Sequence, residues 1–444
     1  MNRIKDTIQG ISESTGMSPP VFILLCILLI TGTVTGIVYA IKYGLYAYST
    51  IPSSPNISSI VNSQTLALTS QYNYLSNNIS TSNLWKDSSG NKIPVNQQLL
   101  INTSFTGCRL AGYMGPFNDG VFNADAGVMT ALSTGTRVFI LEIDMDGNGE
   151  PILAYRNASG YIRSMNSIKI KEIAKAFFDR AYSNLSTSVP NTVKQTDLPI
   201  ILVLYFNKVP DIVKKPKDYI TFLGKVSKEL QILQPHILSL TAQGDFRRQG
   251  LDTQMFFMPM SIFNRKIIVL CNVDTTILRS ASNYGVENLT PEKDLDLLVN
   301  ARIYNQESGS SFGASSAVSG TSPPAAILAK PGYFINMPTE NRSQSIDITK
   351  KVFTIVMDPD PEVAIKKPDL DSLLTDYGVH CVPFSHFVSM KILDPYYGSG
   401  NIFENKCAIT KSQQLRFIPP TPIITKQPPK ALDTRGGYLS LSNT

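Results

Sequence analysis

The middle of the chain is ordered by continuous apolar runs rather than by alternation. Residues 138–141, 198–206, 266–273 and 352–357 are each almost unbroken stretches of Val, Ile, Leu and Phe. Runs of that length read as strands buried on both faces, the habit of a parallel sheet. Between the first two, residues 167–182 place Ile170, Ile173, Ala174, Phe177, Phe178 and Ala181 at helical spacing. A second helix is predicted from Pro216 to about residue 233, with Pro in the first turn where its missing N–H is harmless. Short helices are predicted over 123–132 and 369–374, a short strand over 151–154 and a strand region over 377–387. Strands alternating with helices predict right-handed crossovers and a mostly parallel sheet or barrel, here over 99–418.

The flanks read differently. Residues 1–20 are a polar N-terminus, and residues 21–41 carry no charge. At about 1.5 Å per residue such a run matches the roughly 30 Å hydrocarbon core, so a transmembrane helix is predicted over 21–43. Tyr39, Tyr43, Tyr46, Tyr48 and Lys42 are its candidate interfacial belt, and Arg3 and Lys5 favour a cytoplasmic N-terminus. Residues 44–98 are dominated by Ser, Asn and Thr, with no charge before Trp85, and read as a stalk or extended arm. Residues 305–345 contain a Ser/Gly/Ala-rich stretch ending at Pro323-Pro324 and read as a flexible insertion. Residues 419–444 form a Pro-rich basic tail suited to docking on a neighbour.

Composition narrows the function classes only slightly. A net charge of +6 over 444 residues does not require a nucleic-acid partner. Five cysteines (Cys26, Cys108, Cys271, Cys381, Cys407) match no zinc spacing and read as free thiols. No nucleotide-binding, zinc-protease or nucleophile-elbow motif occurs. The candidate chemistry lies at the end of the first buried strand, where Glu142 and Asp144 precede the Gly-rich turn Asp146-Gly147-Asn148-Gly149. In a barrel of parallel strands, active sites sit at that strand end. Asp144-x-Asp146-x-Asn148-Gly149 begins like a calcium loop, but Tyr155 stands where the closing bidentate Glu belongs, so no metal is predicted. The lysines at 214, 215 and 217, with Lys225 and Lys228, read as a solvated helix face, phosphate or head-group contact being the alternative.

The run Leu132-x-x-Gly135-x-Arg137-x-x-x-x-Glu142, followed by Pro151-Ile152, resembles the X-region of phosphatidylinositol-specific phospholipase C proteins. It is more similar to the phospholipase-C-like barrel proteins of large DNA viruses. Cys108, Asn118-Asp119, the Arg265–Cys271-Asn272 stretch, Tyr377-Gly378-Val379-His380-Cys381-Val382-Pro383 and Leu415-Arg416 also follow their order. The resemblance covers about residues 100–420 and implies an α/β fold, a phospholipase-C-like (β/α) TIM-type barrel.

Enzymes of that family use two histidines as general base and general acid. The resemblance assigns the first to the segment 104–113 and the second to the residues just after Pro151-Ile152. Neither segment contains His; the chain has only His236, His380 and His386. The expected family calcium positions are Ile140 and Glu142, and the first is apolar. The expectation is therefore a catalytically degenerate barrel without cofactor, in a single-pass membrane protein of the virion inner membrane and capsid interface. It would be held to membrane by residues 21–43 and to capsid or other virion proteins by stalk and tail. One alternative is a membrane phosphodiesterase or phospholipase using Arg137, Glu142 and Asp144. The other is a type II membrane ectodomain binding a receptor or glycan.

Overall fold

The computed structural model describes residues 18–47, 58–59, 61–63, 84–87, 90–115, 120–157, 159–183, 198–239, 246–287, 289–306, 324–363, 365–385, 394–404 and 406–420. The continuous apolar runs become the central strands. They are β5 (Val138–Met145), β8 (Ile200–Phe206), β9 (Ile267–Cys271), β10 (Ala301–Gln306), β11 (Ala326–Ala329) and β12 (Phe353–Val356). Upstream lie β1 (Thr103–Phe105), β2 (Gly107–Cys108), β3 (Tyr113–Met114) and β4 (Val121–Phe122). After β5 come β6 (Pro151–Leu153) and β7 (Ile168–Lys169), and β13 (Ala408–Thr410) is last.

The pairings close a ring. β2 pairs parallel with β5, β5 with β8, β8 with β9, β9 with β10, β10 with β11 and β11 with β12. Parallel bridges Ile355↔Cys381, Phe105↔Cys381 and Cys108↔Phe384 carry the sheet from β12 through residues 381–384 back to β2. Eight parallel strand positions thus form a barrel, with helices such as Ala124–Ser133, Ile170–Phe177 and Pro216–Leu230 in the crossovers. Asn123 caps the first of these, its Oδ1 accepting the Ala126 N–H at 3.0 Å. That helix lies so close to the turn between β2 and β3 that a Cβ at Gly127 would stand 2.6 Å from Gly112 Cα.

Side-chain alternation divides the apolar residues of β5 between two cores. Val138 and Ile140 join Ile201, Val203, Ile268, Leu270, Ile303 and Ile355 inside the ring. Phe139, Leu141 and Ile143 join Leu202, Leu204 and the helices outside it. Complete burial on both faces explains why the sequence shows runs instead of alternation.

Several expectations are corrected. Residues 18–47 contain a helix, Pro19–Ala47, yet among the described residues no helix is long and apolar enough to cross a membrane. The transmembrane helix at 21–43 and the single-pass membrane localisation are thereby overturned. Thr31, Gly32, Thr33, Thr35 and Gly36 dilute the apolar run in its middle. The stalk assignment also ends too late. Leu84 and Ile93 are buried, the Ile93 N–H donates to Trp85 O at 2.8 Å, and Thr410 donates to Leu84 O, so residues 84–87 and 90–98 pack on the barrel. Within the supposed insertion, 326–329 is β11 and Arg342–Lys351 is a helix. The short Ala-Ile-Leu-Ala run was hidden behind a Ser/Gly/Ala-rich stretch, of which 307–323 lies outside the described residues. The Pro-rich tail from 421 onward also lies outside them.

Candidate functional site

The alternation that sends Val138 and Ile140 inward also sends Glu142 and Asp144 toward the mouth of the barrel at the carboxyl end of β5. Both are buried, at 3% and 0% exposure. A buried carboxylate needs a compensating charge, and each has one. Arg109 donates from Nε to Glu142 Oε1 at 2.9 Å and from Nη1 to the Asp358 carbonyl at 2.6 Å. Arg156 donates from Nε to Asp144 Oδ2 at 2.5 Å and from Nη1 to Gly160 O. The other oxygen of Asp144 accepts the Met145 N–H at 2.7 Å.

The arginines come from the two segments in which the resemblance places histidines. Arg109 follows β2, and Arg156 lies just beyond β6. A guanidinium stays protonated under all ordinary conditions, so neither can act as general base or general acid near neutral pH. Two phenols stand close by. Tyr155 donates to Glu362 Oε1 at 2.7 Å, and burial, with that carboxylate, pushes its pKa up. Burial, then the nearby Glu142 charge, raises Tyr205 as well. Both remain protonated. Among the described residues, the space left beside Arg109, Asp358, Pro361 and Phe384 is about 10 Å³, room for roughly one water.

Arg137 stands apart. It precedes β5, so five residues of strand, about 17 Å, separate it from Glu142. Its Nη1 donates to Thr136 O at 2.8 Å, and it is 2% exposed. The catalytic set Arg137, Glu142 and Asp144 is therefore not assembled: the two carboxylates share one mouth and the arginine lies at the opposite end. His236 is also remote, stacked on Tyr182 with ring centroids 4.3 Å apart, and burial lowers its pKa. His380 is buried at the start of the closing segment. Its Nδ1 accepts the Thr354 N–H at 2.9 Å, and its Nε2 lies 2.9 Å from Ile101 O and 2.8 Å from Lys411 Nζ. His386 is outside the described residues.

No group of three or more His, Cys, Asp or Glu that could hold a metal ion occurs among the described residues. Asp146 spends Oδ1 on its own turn, accepting the Asn148 and Glu150 N–H groups at 2.8 and 2.7 Å. All five cysteines are free thiols, and four are buried. Sequence reasoning missed Arg109 and Arg156. The signal was available, since each histidine-free segment carries an arginine and β5 carries two inward carboxylates.

No protein-family model matches the chain, and no curated protein matches it. Solved structures do align with it at low identity. PLC21 of S. officinalis is 14% identical, with a TM-score of 0.46 over 74% of this chain and 40% of that one. The chain thus spans less than half the length of that protein. A calcium-dependent phosphoinositol-specific phospholipase C of Pseudomonas sp., in a myoinositol complex, is 11% identical, with a TM-score of 0.36 over 74% of this chain and 100% of that one. A Ca2+-dependent phosphatidylinositol-specific phospholipase C from Streptomyces antibioticus is 10% identical, with a TM-score of 0.42 over 70% of this chain and 99% of that one. The assignment of a barrel here rests on the strand pairings themselves.

Proposed function

We propose that the barrel serves as a non-catalytic structural and interaction domain. One observation carries this reading: both carboxylates at the barrel mouth are already balanced by arginines from the segments where the acid–base histidines are expected. A charge satisfied inside the protein is poorly suited to binding a cation or taking a proton from a substrate. The barrel then acts through its outer surface, holding neighbouring proteins in a fixed geometry. A place among the shell proteins of a large DNA virus accords with this by resemblance alone. With the membrane span corrected, that role consists of protein–protein contacts.

The test is turnover. Purified full-length protein, given phosphatidylinositol and a generic phosphodiester with and without calcium, is expected to hydrolyse neither above blank. Hydrolysis abolished by Glu142→Gln would overturn the reading and restore the phosphodiesterase alternative.

A further inference from the structure

On the outside of the barrel, a groove of about 520 Å³ runs beside the helices Ile170–Phe177 and Pro216–Leu230. Five lysines line it: Lys169, Lys171 and Lys175 from the first helix and its lead-in, Lys225 and Lys228 from the second. Two glutamates, Glu150 and Glu229, and the 39% exposed Ile232 complete the lining. Lys225 is paired with Glu150 at 2.6 Å, and Lys175 with Asp179 one turn on. Among the described residues, no carboxylate reaches ion-pair distance of Lys169, Lys171 or Lys228.

From this we infer that the groove binds an acidic peptide segment of a partner protein, one that alternates carboxylates with an apolar side chain. Three observations favour that occupant. Positive charge is in excess, and among the described residues Lys169, Lys171 and Lys228 form no ion pair. The wall is largely aliphatic, made of lysine stems and Ile232, so an apolar side chain gains by lying between the charged rims. Finally, Glu229 sits in the groove, its Oε2 accepting the Lys171 N–H at 3.1 Å at the start of the helix. That carboxylate already occupies the helix N-terminus and repels a compact polyphosphate. Separately spaced carboxylates can reach the outer lysines and avoid it. The inference rests on the interaction reading in naming a protein as the partner.

The experiment is fluorescence anisotropy of the full chain with a labelled peptide repeating Glu-Glu-Leu, against its Gln-Gln-Leu counterpart, with inorganic triphosphate as competitor. The acidic peptide is expected to bind, its neutral counterpart to fail, and triphosphate at matched charge to displace it weakly. Lys171→Glu with Lys228→Glu is expected to weaken binding roughly tenfold, since each reversal replaces an attraction with a repulsion. Lys214→Glu with Lys217→Glu, outside the groove, is expected to change it less than about twofold. Equal losses from the two pairs, tighter binding of triphosphate than of peptide, or no peptide binding would each overturn the proposal. Turnover in the same preparation speaks to the non-catalytic reading alone, so the two failures are distinguishable.

Discussion

The barrel mouth and the lysine groove treat charge in opposite ways. At the mouth, Glu142 and Asp144 are buried and each meets one guanidinium, at 2.9 and 2.5 Å. In the groove, five lysines face two glutamates, and the lysine side chains are largely in water. A buried charge must be paired where it lies, because desolvation costs several kcal/mol per ion. A surface charge carries no such demand, so an unpaired excess persists until a partner supplies the opposite sign. The mouth is therefore closed electrostatically, while the groove remains available. A third place falls between them: Lys411 is 4% exposed, yet its described partners, Thr349 O and His380, include no carboxylate.

The comparison is broken most severely by unpairing the mouth. Arg109→Ala leaves Glu142 buried without its cation and is expected to cost roughly 3–5 kcal/mol in urea unfolding. Arg109→Met with Glu142→Leu removes both charges and is expected to recover most of that loss. An Arg109→Ala protein as stable as wild type would show that the pair does not hold the mouth.

The next effect is a pH dependence at Lys411. Burial holds its amine well below the ordinary value of 10.5. Below that value the unfolded chain binds a proton that the folded chain refuses, so stability at this site rises with pH from the folded pKa toward 10.5. His380 follows the same sign below 6.5, with burial and then the neighbouring Lys411 lowering its pKa. Lys411→Met removes the lysine term. The stability of wild type relative to this variant is expected to increase as the pH is raised toward 10.5, as measured by thermal melts. A difference that stays constant up to 10.5 would mean that the amine titrates normally.

The smallest effect sharpens the groove. Lys225 and Glu150 are paired but partly exposed, at 36% and 52%. Solvent screening should hold their coupling, in a double-mutant cycle of Lys225→Ala and Glu150→Ala, within about 1 kcal/mol. A coupling as large as the Arg109 effect would make the groove a structural ion pair, contrary to its reading as an available surface.

Much of the barrel was legible because burial on both faces writes itself as unbroken apolar runs: β5, β8, β9 and β12 all arise from such runs. The two short strands β10 and β11 were not, since four to six residues beside a Ser/Gly/Ala-rich stretch leave little pattern to read. The closing segment 381–384 was legible only as a strand region; its place between β12 and β2 is a nonlocal pairing. Asn102, which opens an Asn-Thr-Ser sequence of the glycosylation-acceptor type, is wholly buried and donates to Gln97 O and Phe417 O, a fate that composition could not reveal.

By itself the sequence determined that the central domain would be built around buried parallel strands, that one of them would end in two carboxylates, and that the segment 104–113 and the residues just after Pro151-Ile152 would hold no histidine. These are local facts of residue type and spacing. Only the tertiary structure decided that Arg109 and Arg156 would meet those carboxylates, that Arg137 would stand at the far end of the same strand, and that lysines from two separate helices would share one groove. Each depends on which side of a strand or helix faces which neighbour across the barrel, and that is set by packing between segments distant in the chain.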